Sequence, residues 1–358
     1  MQENDRTRAL ADRLRANAVA ALELYTIYLG ERLGLYRAIA DGQPVTSSEL
    51  AERTGTTERY VREWLEHHAA GSLLEVDDPA AGPLERRYRL PLEHVPVLAD
   101  PDHVMYEGHK GIDIVRAGRP MPDLVEAFRT GAAPPPIVWE PEGRAEVNRA
   151  VFLTLLGTQW LPSITDVDRR LCAEPPARVA DVACGTGWST IAMARAYPTV
   201  SVHGFDLDRD AIALAREHLE AEGALADRVT FSVADASAPE LSGTFDLVTV
   251  FEALHDMSRP VEALRAARGL LADGGSVVVA DELVGEVFAA PASEGDRYAY
   301  GWSVVSCLPY AMDDPMTAAT GAVMRPSTLR AYATEAGFGA IEILPIETDF
   351  WRFYRLRP

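Results

Sequence analysis

The residues of this 358-residue chain best placed to do chemistry begin with Asp181-Val182-Ala183-Cys184-Gly185-Thr186-Gly187, which ends an apolar run and opens a helical stretch at Trp188. Small residues in such a turn let backbone approach a ligand closely, and glycine tolerates positive φ. A Gly-x-Gly turn alone is a weak signal. Three later features fall in register with it. Val202-His203-Gly204-Phe205-Asp206 puts a carboxylate at the end of the next strand, where an acidic side chain accepts both hydroxyls of a ribose. Phe231-Ser232-Val233-Ala234-Asp235-Ala236 ends the third strand with a second carboxylate, suited to an adenine amino group. Phe245-Asp246-Leu247-Val248-Thr249-Val250 is the strand whose end faces the reacting centre. Acidic residues at successive strand ends suit a cationic, phosphate-free ligand better than a dinucleotide. Any one of these aspartates could simply cap a turn; all of them in register with the loop point to a ligand of that kind.

The elements that must position these residues follow from periodicity. From Ala177 onward, apolar runs Val179–Ala183, Val200–Phe205, Val229–Val233, Leu247–Phe251 and Ser276–Ala280 alternate with helical segments 188–196, 209–221 and 259–271. That rhythm predicts a parallel sheet with crossover helices. The closing run, Phe350 to Leu356, reads as an edge of the sheet. Residues 6–40 read as helical. Thr46-Ser47-Ser48-Glu49 is a capping box, followed by a short helix (Leu50 to Arg53), a turn at Gly55 and a second helix from Thr57 to about Ala70. Tyr60, Val61, Trp64 and Leu65 are expected on one face of that second helix. Two short β-like runs, Leu73–Val76 and Arg87–Leu90, complete a winged helix. Residues 100–128 read as mixed and mainly helical, Gly131-Ala132-Ala133-Pro134-Pro135-Pro136 as a connector, and Arg144 to Leu161 as an amphipathic helix. The fold class is thus α/β, a Rossmann-like seven-stranded sheet behind a mainly helical winged-helix domain. The expected domains are 1–100 (winged helix), 101–165 (helical connector) and 166–358 (cofactor domain).

Composition narrows the function classes. Apolar residues make up 47 % and charged residues 25 %, the balance of a water-soluble globular chain with a sizeable core. A net charge of −20 repels phosphate backbones and anionic lipid. The first residues lack the apolar segment of a signal peptide, and no stretch is apolar enough for a membrane span, so a cytoplasmic location is expected. The three cysteines, Cys172, Cys184 and Cys307, have no pairing or metal spacing.

Residues 178–285 resemble a class I S-adenosylmethionine-dependent methyltransferase, and the whole chain resembles small-molecule O-methyltransferases of the caffeate and polyketide type, in an actinobacterial branch. The resemblance implies that Asp181 and Gly185, within the loop that includes Ala183 and Gly187, hold the methionine part of the cofactor. It likewise implies Asp206 and Leu207 for the ribose, Asp235 and Ala236 for the adenine, with Phe251 beside them. Ala183 stands where the family has its first loop glycine, and a slightly different turn is expected there. In Phe251-Glu252-Ala253-Leu254-His255-Asp256-Met257, His255 falls where the family carries the histidine of its His-Asp-Trp motif, the general base; Met257 replaces the tryptophan. Asp281 matches the acidic residue that orients this histidine. Met324 stands in place of a second family carboxylate, so a weaker hold on His255 is expected.

Methyl transfer from a sulfonium is an in-line displacement in which positioning supplies much of the rate, and a hydroxyl acceptor needs a base near neutral pKa. The aromatic-rich insertion at 296–310 is expected to cover the acceptor through Tyr298 and Trp302, with Trp160 and His109 as further substrate contacts. No metal is expected, because no second histidine follows His255. The helix-turn-helix could signal DNA binding, but Thr57–Glu66 carries Glu58, Glu63 and Glu66 against Arg59 and Arg62, and phosphate contacts dominate DNA affinity. A homodimerising, substrate-enclosing role is the expectation, with a small-molecule partner and neither nucleic acid nor membrane. The competing readings are an enzyme of the same fold that binds the cofactor for hydroxylation, decarboxylation or ring formation, and a ligand-responsive transcriptional regulator.

Overall fold

The computed structural model describes residues 2–135, 148–238, 243–312, 314 and 316–358. The expected helix start at Arg144–Val147 and Pro136 of the connector lie outside them. The chain divides into two compact units, Met1–Arg119 and Pro120–Pro358, so the expected connector 101–165 is shared between them instead of standing alone.

In the first unit, α1 (Gln2–Arg32) is followed by α2 (Ser47–Thr54) and α3 (Glu58–Ala70). The capping box forms as read. The Thr46 hydroxyl accepts from Glu49 N–H at 3.2 Å, and the Thr46 N–H donates to the Glu49 carboxylate at 2.7 Å. Gly55 ends α2 in the left-handed conformation. On α3 the buried face is Val61, Trp64, Leu65 and His68; Tyr60, expected with them, is 80 % exposed because it sits one residue off the three-to-four stripe. The wing is the antiparallel pair β1 (Glu75–Val76) and β2 (Tyr88–Arg89). Tyr88 extends it by an isolated bridge to Val45. Helices at His109–Gly118, in this unit, and Met121–Thr130, in the next, supply the mixed region. Leu10, Leu14, Leu22, Tyr25, Leu29 and Leu33 leave a line of exposed apolar side chains along α1 and its end.

The second unit is built on a seven-stranded sheet: β3 (Arg178–Val182), β4 (Ser201–Asp206), β5 (Val229–Val233), β6 (Phe245–Phe251), β7 (Leu271–Glu282), β8 (Ala340–Ile343) and β9 (Trp351–Arg357). The order is β5-β4-β3-β6-β7-β9-β8, parallel through β7, with β9 and β8 antiparallel. Crossover helices Trp188–Ala196, Arg209–Glu222 and Pro260–Gly269 fall within two residues of the expected segments. Apolar cores cover both faces, one around Ile191, Leu247 and Phe353, the other around Val248, Leu264 and Tyr354. β9 is not the edge strand expected. It lies between β7 and β8, with Trp351, Phe353, Tyr354 and Leu356 all buried, and the short β8 forms the edge. Residues 149–163 are helical, but Phe152–Trp160 winds in wide π-type turns, in which Leu161 N–H reaches back five residues to Leu156 O.

Candidate active site

The glycine-rich turn leaves β3 at the centre of the sheet. Ala183 adopts φ +58°, Gly185 +54° and Gly187 +86°. Ala183 therefore does not alter the turn; it takes the left-handed conformation a glycine would, at a cost of about 1 kcal/mol. Gly187 is required twice over, by its φ and because a Cβ there would lie 2.6 Å from the Phe231 ring and 2.9 Å from the Ala215 methyl. Gly185 faces open space and donates its N–H to the Asp206 carboxylate at 2.7 Å, tying the loop to the end of β4. Asp206 also accepts from Asp208 N–H at 2.9 Å. Asp235 is exposed past the end of β5 and accepts from Ser237 N–H and hydroxyl at 2.8 and 2.7 Å. Leu207 is exposed and Ala236 half-buried. Open backbone at Gly185 and carboxylates at the ends of neighbouring strands fit a nucleoside carrying positive charge and no phosphate.

Asp181 is arranged differently from a ligand-facing group. It is 1 % exposed, and Ser189, Thr190 and Thr249 each donate a hydroxyl to it at 2.6 Å. Burial pushes its carboxyl upward against those donors. The side chain clamps the strand, the loop and the helix start together. Phe251 packs in the core between Phe152 and Phe353, ring centroids 5.7 and 6.3 Å away.

Beside the loop, β6 and β7 bring together the groups that could move a proton. His255 lies in a short 3₁₀ turn, Leu254–Asp256, just past β6. It is 2 % exposed, with Nδ1 2.7 Å from Asp281 Oδ1 on β7 and Nε2 3.2 Å from Asp256 Oδ1. Burial would depress the imidazolium, but Asp281 and Asp256 outweigh it and hold His255 well above the ordinary histidine range. The weaker hold expected from Met324 is not found. Met324 is core-packed, and the histidine has two carboxylate neighbours without it. Arg325 instead braces the loop around the insertion through Gly285 O (2.5 Å) and the Tyr300 hydroxyl (3.1 Å).

Two carboxylates were not singled out in the sequence as site residues. Glu252 directly follows β6 with φ +49°, donates its N–H to Ala280 O at 2.8 Å and accepts a hydrogen bond from the Asn148 amide. Desolvation, then Asp281 and Asp256, push it up to about 7 against the opposing pull of His255 and Asn148. Glu282, ending β7, is pushed up to about 8 by desolvation and by Glu252 and Asp281. The spacing of Glu252 and Glu282 in the sequence carries no motif, and only the parallel pairing of β6 with β7 unites them. Cys307 also reaches this corner. His255, Asp256 and Cys307 can bring one ligand atom each within 4.8 Å of one another. Burial pushes the Cys307 thiol up to about 11.

The expected substrate residues scatter. Tyr298 is exposed and Trp302 half-buried, with rings 6.1 Å apart on the helix Glu294–Trp302. Trp160 is a core residue, packed on Trp351 and Phe353 at 5.4 and 5.1 Å, which corrects its expected place on the acceptor surface. His109 is buried in the first unit, 3.9 Å from Asp113.

Two family models match the chain: a methyltransferase domain over residues 179–275 and a Rv2258c-like winged HTH domain over residues 20–100. Among curated relatives, the Ubiquinone biosynthesis O-methyltransferase of Ralstonia nicotianae is 31 % identical over 170 residues, 48 % of this chain and 66 % of that protein. The corresponding mitochondrial enzyme of Saccharomyces cerevisiae is 33 % identical over 101 residues, 28 % of this chain and 30 % of its own. The chain thus spans less than two thirds of the length of either relative. A solved structure of human N-acetylserotonin methyltransferase in complex with SAM covers 97 % of both chains at a TM-score of 0.71 and 16 % identity. An O-methyltransferase from neocarzinostatin biosynthesis, solved with S-adenosyl-L-homocysteine and 1,4-dihydroxy-2-naphthoic acid, covers 96 % of this chain and 98 % of its own at 0.62 and 20 % identity. At these identities the likeness shows the fold: a methyltransferase domain joined to a winged-helix domain.

Proposed function

We propose that the chain is an S-adenosylmethionine-dependent methyltransferase of a small hydroxylated molecule, aromatic or polyketide-like, with His255 as general base. The observation that carries this reading is the buried 2.7 Å bond between His255 Nδ1 and Asp281, at the end of the strand next to the one that launches the glycine loop. Bound S-adenosylmethionine would supply an electrophilic methyl group. Asp206 and Leu207 would hold its ribose, Asp235 and Ala236 its adenine, and the Gly185 backbone its methionine part, with Asp181 keeping the loop in shape. Asp281 fixes the imidazole through Nδ1 and stabilises the imidazolium, and Nε2 would take the acceptor's proton once the acceptor hydroxyl displaces the Asp256 carboxylate from it. Tyr298 and Trp302 are proposed to cover the acceptor.

The apolar line on α1 supports a homodimer formed through the winged-helix domain, since a surface of that length is rarely left in water. Nucleic acid is a poor partner for α3, whose Arg59 and Arg62 pair with its own Glu63 and Glu58 at 2.5 and 3.3 Å. Three free cysteines suit the reducing cytoplasm, and among the described residues no helix is long and apolar enough to cross a membrane.

The test is incubation with methyl-labelled S-adenosylmethionine and a panel of hydroxylated aromatics. Methylated product and S-adenosylhomocysteine in a one-to-one ratio are expected. An acceptor altered without S-adenosylhomocysteine would assign the fold to non-methylating chemistry instead.

A further inference from the structure

Glu252 has a position that the base mechanism does not use. Val182 on β3 lies opposite Val250 on β6, so Ala183–Gly185 and Phe251–Glu252 emerge side by side from neighbouring strands, whose axes lie about 4.8 Å apart. Phe251 in turn pairs with Ala280, which sets Glu252 next to Asp281 and Glu282. A non-glycine residue at φ +49° is strained, and strain of this kind persists where surrounding structure enforces it, commonly at functional sites. Here the Ala280 carbonyl fixes the Glu252 backbone and the Asn148 amide holds its carboxylate. A separate observation concerns the same acidic cluster: Asp281 Oδ2 is buried with no hydrogen-bond partner among the described residues.

We propose that Glu252 is the counter-charge for the cofactor's sulfonium, so that the site binds S-adenosylmethionine in preference to the neutral thioether S-adenosylhomocysteine. This rests on the cofactor reading above and extends it to a residue of this chain. The two ligands share ribose, adenine and amino-acid parts, so Asp206, Asp235 and Gly185 treat them alike. Only a group at the sulfur separates them. Methyl transfer breaks the S–CH3 bond with its electron pair going to sulfur, which removes the positive charge, and Glu252 then loses its partner. The same carboxylate that draws the cofactor in would let the product go.

The groups acting on Glu252 are His255 and Asp256 from the turn after β6, Asp281 and Glu282 from β7, and the Asn148 amide; Cys307 faces His255 and Asp256. Ionisation of Glu252 centres on about 7, so its attraction for a sulfonium grows as pH rises through that value.

Isothermal titration of the full-length protein with S-adenosylmethionine and with S-adenosylhomocysteine, from pH 6 to pH 8.5, tests this. The ratio of the two dissociation constants is expected to shift toward S-adenosylmethionine by about tenfold across that range, and to lose about tenfold at pH 8 in Glu252→Gln. Glu252→Asp is expected to keep most of the preference. A wild-type ratio that stays flat with pH, or one that Glu252→Gln leaves unchanged, overturns the proposal. If Glu252→Gln does not fold, Glu252→Asp against Glu252→Asn decides, with the preference kept in the first and lost in the second. Should neither ligand bind the wild type, the cofactor reading itself fails, a result distinct from both.

Discussion

If His255 is the base, as proposed, its neighbouring carboxylates set both its strength and the pH at which it is free to act. Its imidazolium is held well above the ordinary range by Asp281 and Asp256, so the neutral form that can accept a proton grows only as pH rises past that range. The rate of methyl transfer is therefore expected to climb on the alkaline side of neutrality. Asp281→Asn should move the rising limb to lower pH and lower the plateau by about 10²–10⁴-fold, because the imidazole loses both its orientation and the charge that stabilises its protonated form. A pH–rate profile of both proteins checks this, and a limb that stays in place would show that Asp281 does not set the basicity. His255 and Asp281 were legible in the sequence because each closes a strand at a motif position. Glu252 and Glu282 were not, since their significance comes from strand pairing and not from any local pattern. Trp160 misled for the opposite reason: a tryptophan near a site looks like a substrate contact, but Trp351 and Phe353 enclose it.

The elements were readable wherever one period dominated. Strands β3 to β7 and their crossover helices follow from alternating apolar runs and amphipathic stretches, and the loop after β3 follows from its glycines. β9 was misplaced because its sequence, with Arg352 and Arg355 among aromatics, looks like a strand with one wet side. In fact Arg355 is a buried cation paired with Glu342 at 2.7 Å and with Asp166, so charged residues sit in a strand that is covered on both flanks. At Gly187 the element and the site share one constraint. Gly187→Ala must accept φ +86° and push a methyl into Phe231 and Ala215, which is expected to cost about 2 kcal/mol or more. Denaturant unfolding and cofactor titration measure the two consequences, a lower midpoint and weaker binding. A variant of wild-type stability would mean that the turn is not held as described.

For the whole molecule, the two units should respond to pH in opposite directions. In Met1–Arg119, burial lowers His68 and His109 to about 4, below the ordinary 6.5. The unfolded chain then binds more protons between those values. For His68, stability is present above about pH 6.5 and is lost as pH falls, by on the order of 3 kcal/mol if the window is fully traversed; at His109 the neighbouring Asp113, raised by burial to about 6, gains stability as pH falls and offsets the loss. In Pro120–Pro358, Glu252 and Glu282 are raised to about 7 and 8, so the folded unit binds more protons and gains stability as pH falls from about 8 toward 4.5. Hydrogen exchange should show α3 amides less protected at pH 5 than at pH 7, and β6 and β7 amides less protected at pH 8.5 than at pH 6, once intrinsic exchange rates are divided out; parallel trends in the two units would contradict this. Association also belongs to this scale. Leu22→Asp and Leu29→Asp together on α1 are expected to turn a dimer into a monomer in light scattering, whereas a wild-type monomer would remove the proposed role of that apolar line.

The most direct test of the central claim is single-turnover methyl transfer to an accepted hydroxyl substrate by wild type and by His255→Ala, with S-adenosylmethionine affinity measured on both. Cofactor affinity within about threefold and transfer slower by about 10²–10⁴-fold is the predicted result; transfer at the wild-type rate by His255→Ala would contradict it.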